Sequence, residues 1–285
     1  MKIPRFSAKV NGRFLISPKV ERLLGLGVVG GAVEALSRAY GDEALAAFEL
    51  DFLSDGERRR LPLGASWQVS FEAVEPVRPF RWDKDTPGFA GWYYSVTARD
   101  HVGYESWLER DRLILLDRDP QVTAIASQPF WLHWDDGRRQ RRHAPDYFVR
   151  LAAGQARVVD VRAEGDMDER TREAFAATER ACEAAGWEFE WAGRPDPVLM
   201  ANVRWLSRYR RARSGRPEAV AERLLEVFSE PRGLWEGTGL VGDRIQVLPV
   251  LFHLLWSGKL KADLSGGLME TASLVWAKER QRWAG

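Results

Sequence analysis

The stretch HAPDYFVRLAAGQARVVDVRAE, residues 143–164, decides how the chain is interpreted. It places one acidic residue directly after a proline, at Asp146, and a second, Asp160, between valines. The mostly apolar run around Asp160 is typical of a central strand covered on both faces. Side chains two apart on a strand share a face, so Asp160 and Arg162 should project together. Two interpretations are open: a structural ion pair between these two residues, or a metal ligand at Asp160.

Length and composition indicate a folded chain of two or three domains. It has 285 residues, of which 45% are hydrophobic and 29% charged,. The formal net charge is only +1, so any binding of nucleic acid must depend on local clusters,. The single cysteine, Cys182, excludes an intrachain disulfide framework, and we expect it to be buried on a helix,. With no signal peptide and no apolar run long enough to span a membrane, we expect a cytoplasmic protein.

Hydrophobic periodicity after Gly103 predicts the order α-β-β-β-α-β followed by another helix. The predicted elements are a helix within 104–119, strands within 121–134, 138–151 and 156–163, a helix within 166–186, a strand at 187–192 and a helix within 195–213,. Pro120 should end the first helix, because the residue before a proline disfavours helical geometry. Asp168 and Gly186 are the expected N-cap and C-terminal glycine of the second helix.

The flanking regions are predicted to form two further units. Residues 1–90 are interpreted as a separate N-terminal module, with helical spacing in 21–54 and strand-like alternation in 65–82,. A basic Gly- and Pro-containing stretch, 211–217, is a predicted linker. Beyond it, residues 213–285 suggest a small helical, winged-helix-like domain whose wing lies in 259–279. The segment between these two units, residues 91–212, would form the central domain.

Three acids form the candidate site: Glu109 on the first helix, Asp146 after Pro145, and Asp160 in the strand. Converging carboxylates repel one another unless a cation neutralises them. Mg²⁺ suits such a set, because it prefers oxygen ligands, keeps several waters and binds substrate phosphates. It can also lower the pKa of a bound water. Taken from the residues alone, an ion pair at Asp160 and Arg162 is the commoner arrangement.

The order of these motifs resembles the PD-(D/E)xK nuclease superfamily and, more narrowly, TnsA-like endonuclease subunits of heteromeric transposases. The segments that carry the resemblance are ESWLERD, DPQVTAIASQPFWL, HAPDYFV, VVDVR, DERT and NVRWL, between residues 105 and 206. It extends more loosely over 211–285. The resemblance implies a restriction-endonuclease-like α/β core.

The same resemblance implies a catalytic metal site. Glu109, Asp146 and Asp160 would bind one or two Mg²⁺ or Mn²⁺ ions, and the backbone carbonyl of Val161 would also reach a metal. The spacing to the QPF segment favours Glu109 over Glu105, which would be a supporting carboxylate one helical turn earlier. Arg162 departs from the family pattern, which usually has lysine. Arginine cannot act as a base, but it can orient a metal-bound water or neutralise charge on the scissile phosphate.

Several peripheral residues have two interpretations. Gln128 resembles a family element that supports the site, and as bare sequence it is only a polar strand residue. His143 either contacts DNA phosphate or a metal-bound water, or packs at the sheet edge. Two arginine clusters either bind DNA or form a solvated face and a linker end; they are Arg138, Arg139, Arg141 and Arg142, and Arg204, Arg208, Arg210, Arg211 and Arg213,.

Three hypotheses for function follow. The first is a metal-dependent DNA endonuclease subunit that hydrolyses a phosphodiester at the 5′ ends of a transposon. By resemblance, its partners would be double-stranded DNA, a DDE-type transposase subunit and an AAA+ ATPase regulator, docked through the C-terminal region. The second is a non-catalytic assembly subunit with a degenerate nuclease fold, which Arg162 favours. The third is a stand-alone defence-type nuclease.

Overall fold

The structure is a computed structural model that describes residues 9–10, 13–14, 42–80 and 89–277. A two-residue pairing of Lys9–Val10 with Arg13–Phe14 comes first. The helices are α1 Asp42–Ala46, α2 Leu63–Ser66, α3 Trp107–Arg118, α4 Glu169–Ala185, α5 Pro197–Leu206, α6 Glu218–Val227, α7 Leu234–Val241 and α8 Arg244–Trp256. The strands are β1 Phe48–Ser54, β2 Glu57–Pro62, β3 Gly91–Ser95, β4 Asp100–Tyr104, β5 Val122–Ser127, β6 Trp131–Asp135, β7 Gln140–His143, β8 Tyr147–Leu151, β9 Ala156–Val161, β10 Glu188–Ala192, β11 Arg232–Gly233, β12 Leu260–Ala262 and β13 Leu274–Ala277.

The central sheet has the strand order β10-β9-β8-β5. Strand β9 is parallel to β10 and antiparallel to β8, which is antiparallel to β5. Alternation along β9 separates two cores: Val159 and Val161 pack with residues of α3 and α5, whereas Val158 packs with residues of α4,. Helices therefore cover both faces of this sheet, and the predicted mixed α/β class is confirmed.

Local signals placed the helix ends correctly. Helix α3 ends at Arg118, two residues before Pro120. Asp168 caps α4 by accepting a hydrogen bond from the Thr171 N–H at 2.7 Å, and Gly186 ends it in the left-handed region at φ 68°,. These ends depend on a few adjacent residues, which is why the sequence alone predicts them.

The single strand predicted within 121–134 is wrong, because the strand is interrupted at Gln128. This residue adopts a positive φ of 47°, and Pro129 follows it. Strand β5 stays in the central sheet, whereas β6 leaves for a second sheet of order β2-β1-β6-β7. A proline lacks the backbone donor that a continuous ladder needs.

The N-terminal predictions also need correction. Residues 48–54 were expected to be helical and form β1, which pairs with β6; residues 21–41 lie outside the described part of the chain. The strands predicted for 65–82 are replaced by α2 and a 3₁₀ turn at Phe71–Ala73, with 81–82 not described. The apolar alternation there reflects aromatic packing, since fully buried Phe71 contacts Phe52, Phe130, Phe148 and Trp187.

The C-terminal region contains α6 to α8 and a sheet of order β11-β13-β12. Strands β12 and β13 form an antiparallel pair within the predicted wing. The winged-helix assignment and the domain boundaries stay predictions. The predicted linker is packed: a 3₁₀ turn at Ala212–Gly215 lies so close to α8 that a Cβ on Gly215 would be 2.5 Å from the His253 ring. Residues of α5, α6 and α8 share one hydrophobic core.

Buried Asn202 of α5 connects the central part of the chain to this C-terminal region through hydrogen bonds. Its amide nitrogen donates to the carbonyls of Leu264 and Gly267 at 2.9 and 2.8 Å. Its carbonyl oxygen accepts from the Met269 N–H at 2.9 Å. All of its side-chain contacts therefore go to the loop between β12 and β13.

We predict that Asn202→Ala lowers the free energy of unfolding by about 2–4 kcal/mol, because buried backbone groups lose their partners. Urea unfolding measures this loss. The control is Arg223→Ala, which removes the exposed pair with Glu226 and should change stability by less than about 0.5 kcal/mol,. Equal effects of the two substitutions would contradict the role of Asn202.

Candidate active site

Glu109 is fixed at the N-terminus of α3. The helix cap is reciprocal: the Glu109 N–H donates to the Ser106 hydroxyl oxygen at 3.1 Å, and that hydroxyl donates to the Glu109 carboxylate at 2.9 Å,. The carboxylate also accepts from the Glu105 N–H at 2.7 Å. Burial raises the pKa of Glu109 despite these hydrogen bonds. The side chain is thus oriented, but its charged form is disfavoured.

Glu105 was predicted to lie on the first helix, but α3 begins only at Trp107. Its carboxylate instead forms a two-pronged ion pair with Arg78, at 2.8 Å and 2.6 Å. Arg78 was missed by the sequence interpretation. Nothing local marks it, since it lies 27 residues before its partner and within a segment assigned to another module.

Asp146 lies just before β8 and is held from two sides. Its carboxylate accepts a hydrogen bond from the Val161 N–H at 2.7 Å, and its backbone carbonyl accepts from the Gln128 N–H at 2.9 Å. The pKa of Asp146 is raised well above its usual value by burial, and next by the charges of Glu109 and Asp160,. The charges of both other acids therefore act on Asp146, and the Gln128 N–H holds its backbone in place.

Asp160 is almost completely buried, with 1% of its surface exposed. Its Oδ1 lies 2.9 Å from the His143 Nε2. Its Oδ2 is buried and has no hydrogen-bond partner among the described residues. His143 also packs near Phe175 of α4, with ring centroids 5.9 Å apart. Cys182 is buried as predicted, and its pKa is raised by burial and by the nearby Asp160 charge.

Asp160 and Arg162 differ in their surroundings, since Asp160 is buried in the strand and Arg162 follows its end. Strand β9 ends at Val161, and the Arg162 side chain is exposed. The Arg162 backbone is fixed by its N–H to the Ala192 carbonyl at 3.0 Å and by the Trp191 indole to its own carbonyl at 2.8 Å. Within the described chain, Asp160 is hydrogen-bonded to His143, and the ion pair with Arg162 is not formed.

The acids do not form a ready-made metal cage. Among residues 42–80 and 89–277, no group of three or more His, Cys, Asp or Glu side chains is arranged to hold a metal ion. By alternation, Asp160 belongs to the α4 face of the sheet, whereas Glu109 belongs to α3 on the other face. Glu109 and Asp146 are nevertheless oxygen donors, and the charge of Glu109 contributes to the raised pKa of Asp146. Such a pair fits Mg²⁺, which binds through one or two carboxylates plus waters and phosphates.

The two arginine clusters differ in how far they are occupied. In the hairpin β6–β7, Arg141 pairs with Asp136 and Glu173, and Arg142 lies over the Trp131 ring at 4.4 Å. Arg138 and Arg139 are exposed. The second cluster is largely engaged within the chain: Arg204 pairs with Asp111, and Arg208, Arg210 and Arg211 lie over Trp205, Tyr93 and Tyr94. Most of the second cluster therefore has partners within the chain, and its contact with DNA stays a prediction.

A mixed α/β fold with acidic side chains at the end of its central sheet fits the class of α/β nucleases. Residues 119–192 match the family model of the TnsA-like endonuclease N-terminal domain. This match confirms the predicted resemblance and includes Gln128, Asp146, Asp160 and Arg162. No curated protein matches the chain. In the described part of the chain, no helix combines the length and apolar character needed to cross a membrane.

We predict that Asp146→Asn stabilises the protein as pH rises. The folded-state pKa of Asp146 is raised, so its contribution to stability is complete below the unfolded value of about 3.9 and is lost as pH rises through the folded value,. Asparagine removes this loss while still accepting from the Val161 N–H. The gain over wild type should grow from near zero at pH 4 to about 1–2 kcal/mol at pH 8, measured by urea unfolding in EDTA.

Asp168→Asn is the matched control, because hydrogen bonds with Thr171 lower the pKa of Asp168. A lowered carboxyl pKa contributes stability above the unfolded value and loses it as pH falls. This variant should therefore lose stability relative to wild type as pH rises. A common sign for both variants would refute the assignment of the Asp146 shift.

Proposed function

We propose that this protein is a metal-dependent DNA endonuclease subunit that hydrolyses a phosphodiester at the 5′ ends of a transposon. The observation that carries the proposal is buried Asp146, which lies within the TnsA-like match at the end of the central sheet and whose pKa is raised by burial and by the charge of Glu109. Two buried carboxyl groups with raised pKa values are candidates for a site that receives a cation,.

Glu109 and Asp146 would hold the Mg²⁺ or Mn²⁺ ion. When bound, such an ion supplies an activated water and stabilises the leaving oxygen of a phosphodiester. The chain's own contribution is orientation: Ser106 and the Glu105 N–H fix Glu109, whereas the Val161 N–H and Gln128 fix Asp146. Asp160, with its free oxygen, would complete the acidic set, and Arg162 would act at its exposed rim.

The partners would be double-stranded DNA, a DDE-type transposase subunit and an AAA+ ATPase regulator. The C-terminal region supports a docking role through large apolar side chains left in solvent. They include Trp235 and Leu240 of α7 and Ile245 of α8, which is 83% exposed. Such side chains are typical of interaction surfaces when they are grouped.

A second candidate is a non-catalytic assembly subunit that retains the nuclease fold. Two observations favour it: the described residues contain no three-ligand metal group, and arginine occupies the position usually taken by lysine. A stand-alone defence-type nuclease is the third, and an adjacent transposase gene would argue against it.

We predict that wild-type protein with the transposase partner nicks end-sequence DNA in Mg²⁺ or Mn²⁺. Glu109→Ala and Asp146→Ala should each lower the nicking rate by about 100-fold or more, since each removes a ligand of the ion that stabilises the charge developing on the phosphate. Arg162→Lys should retain or raise the rate, because the side chain is exposed and keeps its charge.

Two results would reject the catalytic proposal in favour of the assembly role. One is wild-type protein that never nicks, with or without the partner, while still binding DNA. The other is nicking by Asp146→Ala at the wild-type rate. Circular dichroism of each variant confirms that the fold is retained.

We predict that the hairpin contributes to DNA affinity through Arg138 and Arg139. Replacing either with alanine should reduce the slope of log affinity against log salt by about 1, because one phosphate contact is lost. Fluorescence anisotropy on short duplexes measures this slope. Arg141→Ala is the internal control, since Asp136 and Glu173 already neutralise that charge and the slope should hardly change. A slope equal to that of wild type for both Arg138→Ala and Arg139→Ala would exclude the hairpin from the DNA interface.

A further inference from the structure

Arg78 is held against the acidic site by an unusually complete set of contacts. Its two terminal nitrogens donate to the two oxygens of Glu105 at 2.8 and 2.6 Å. The Arg78 and Glu105 side chains are half-buried, with 27% and 21% of their surfaces exposed. A planar, two-pronged pair of this kind fixes the guanidinium in one orientation.

Gln128 fixes Arg78 from the other side. The Val77 N–H donates to the Gln128 carbonyl at 3.0 Å. With its amide nitrogen facing the Arg78 carbonyl, Gln128 donates there at 3.1 Å and accepts from the Arg78 guanidinium at 3.3 Å. Gln128 is also the residue whose N–H binds the Asp146 carbonyl. The N-terminal segment and the Asp146 loop are therefore joined through one buried side chain.

The charge of Arg78 reaches both candidate metal ligands. It counteracts the rise in the pKa of Glu109 and of Asp146, although burial is the larger influence on each. Neighbouring cations of α3 are engaged elsewhere: Arg110 lies over the Trp107 ring at 4.1 Å, and Arg112 pairs with Glu190. Arg162, which was expected to provide the positive charge, is exposed beyond the end of β9.

We propose that Arg78 is a positioning residue of the acidic site, acting as its built-in countercharge and lowering the affinity of Glu109 and Asp146 for a divalent cation. This inference rests on the proposed function, because it assumes that these two acids bind the metal. It also gives a role to part of residues 1–90, because this segment contributes the Arg78 guanidinium as a positive charge beside the acids. The guanidinium and the metal then compete for the same negative charge.

The test is Mn²⁺ binding to the full-length protein without DNA, measured by isothermal titration calorimetry at pH 8. Arg78→Gln should tighten Mn²⁺ binding by about ten-fold, because a positive charge near a doubly charged ion is removed. Arg78→Lys keeps the charge and should bind within about three-fold of wild type. This rescue by lysine separates the effect of charge from the loss of the two-pronged geometry.

Arg150→Gln is the matched control. Arg150 forms a comparable pair with Glu72, at 2.9 Å and with 24% and 22% exposure, that also ties the N-terminal segment to the central sheet. It should leave Mn²⁺ affinity unchanged, while both glutamine variants lower the melting temperature by a similar amount. Unchanged or weaker Mn²⁺ binding in Arg78→Gln overturns the inference and leaves Arg78 as a structural tether.

Asp146→Ala distinguishes this failure from that of the proposed function. If Asp146→Ala abolishes Mn²⁺ binding but Arg78→Gln does not tighten it, only the countercharge is wrong. If Asp146→Ala binds Mn²⁺ like wild type, the metal site itself is misplaced and both proposals fall. Should Arg78→Gln be unfolded by circular dichroism, Arg78→Met with the same titration replaces it, with the same ten-fold tightening required.

Discussion

The hydrogen bond from the Val161 N–H to the Asp146 carboxylate joins the two strands on which the acidic site depends. It ties the start of β8 to the end of β9, where the ladder between them opens. The Asp146 backbone carbonyl makes the second tie, to the Gln128 N–H beyond β5. Asp146 is therefore located by backbone groups of two neighbouring strands. A carboxyl group held this firmly keeps its position although burial and neighbouring acids disfavour its charge,.

The other acidic side chains come from elements on opposite faces of the central sheet. Helix α3 supplies Glu109 from one face, and β9 directs Asp160 to the face covered by α4. The strand interruption at Gln128 allows β6 to join a second sheet, where it pairs with β1 of the N-terminal segment. The same interruption places Gln128 beside Arg78. One strained residue thus connects the two sheets, the N-terminal segment and the Asp146 loop.

The sequence predicted features that depend on near neighbours and missed those that depend on distant ones. The caps of α4, the end of α3 and the strands β8 to β10 follow from local residue types and periodicity. Strand β1 was interpreted as helix although it forms a hairpin with β2 across the Asp55-Gly56 turn, a local signal that was overlooked,. Its other partner, β6, lies about 80 residues away and leaves no local signature,. Arg78 was missed for the same reason. Glu109 and Asp146 were proposed from the order of motifs and their roles stay predictions, whereas the contact of Asp160 with His143 depends on packing that no motif shows.

The partner of Asp160 answers the question of why an acid lies between valines. The ion pair with Arg162 that the sequence left open is not formed among the described residues. Instead the group is 1% exposed, one oxygen faces His143, and the other has no partner among the described residues. Leaving a buried carboxylate oxygen unpaired costs about 1–3 kcal/mol or more, so a residue retained only for stability is expected to be fully paired. Asp160 therefore lies buried beside His143 within the segment that matches the TnsA-like endonuclease domain, and its proposed role as a metal ligand stays a prediction.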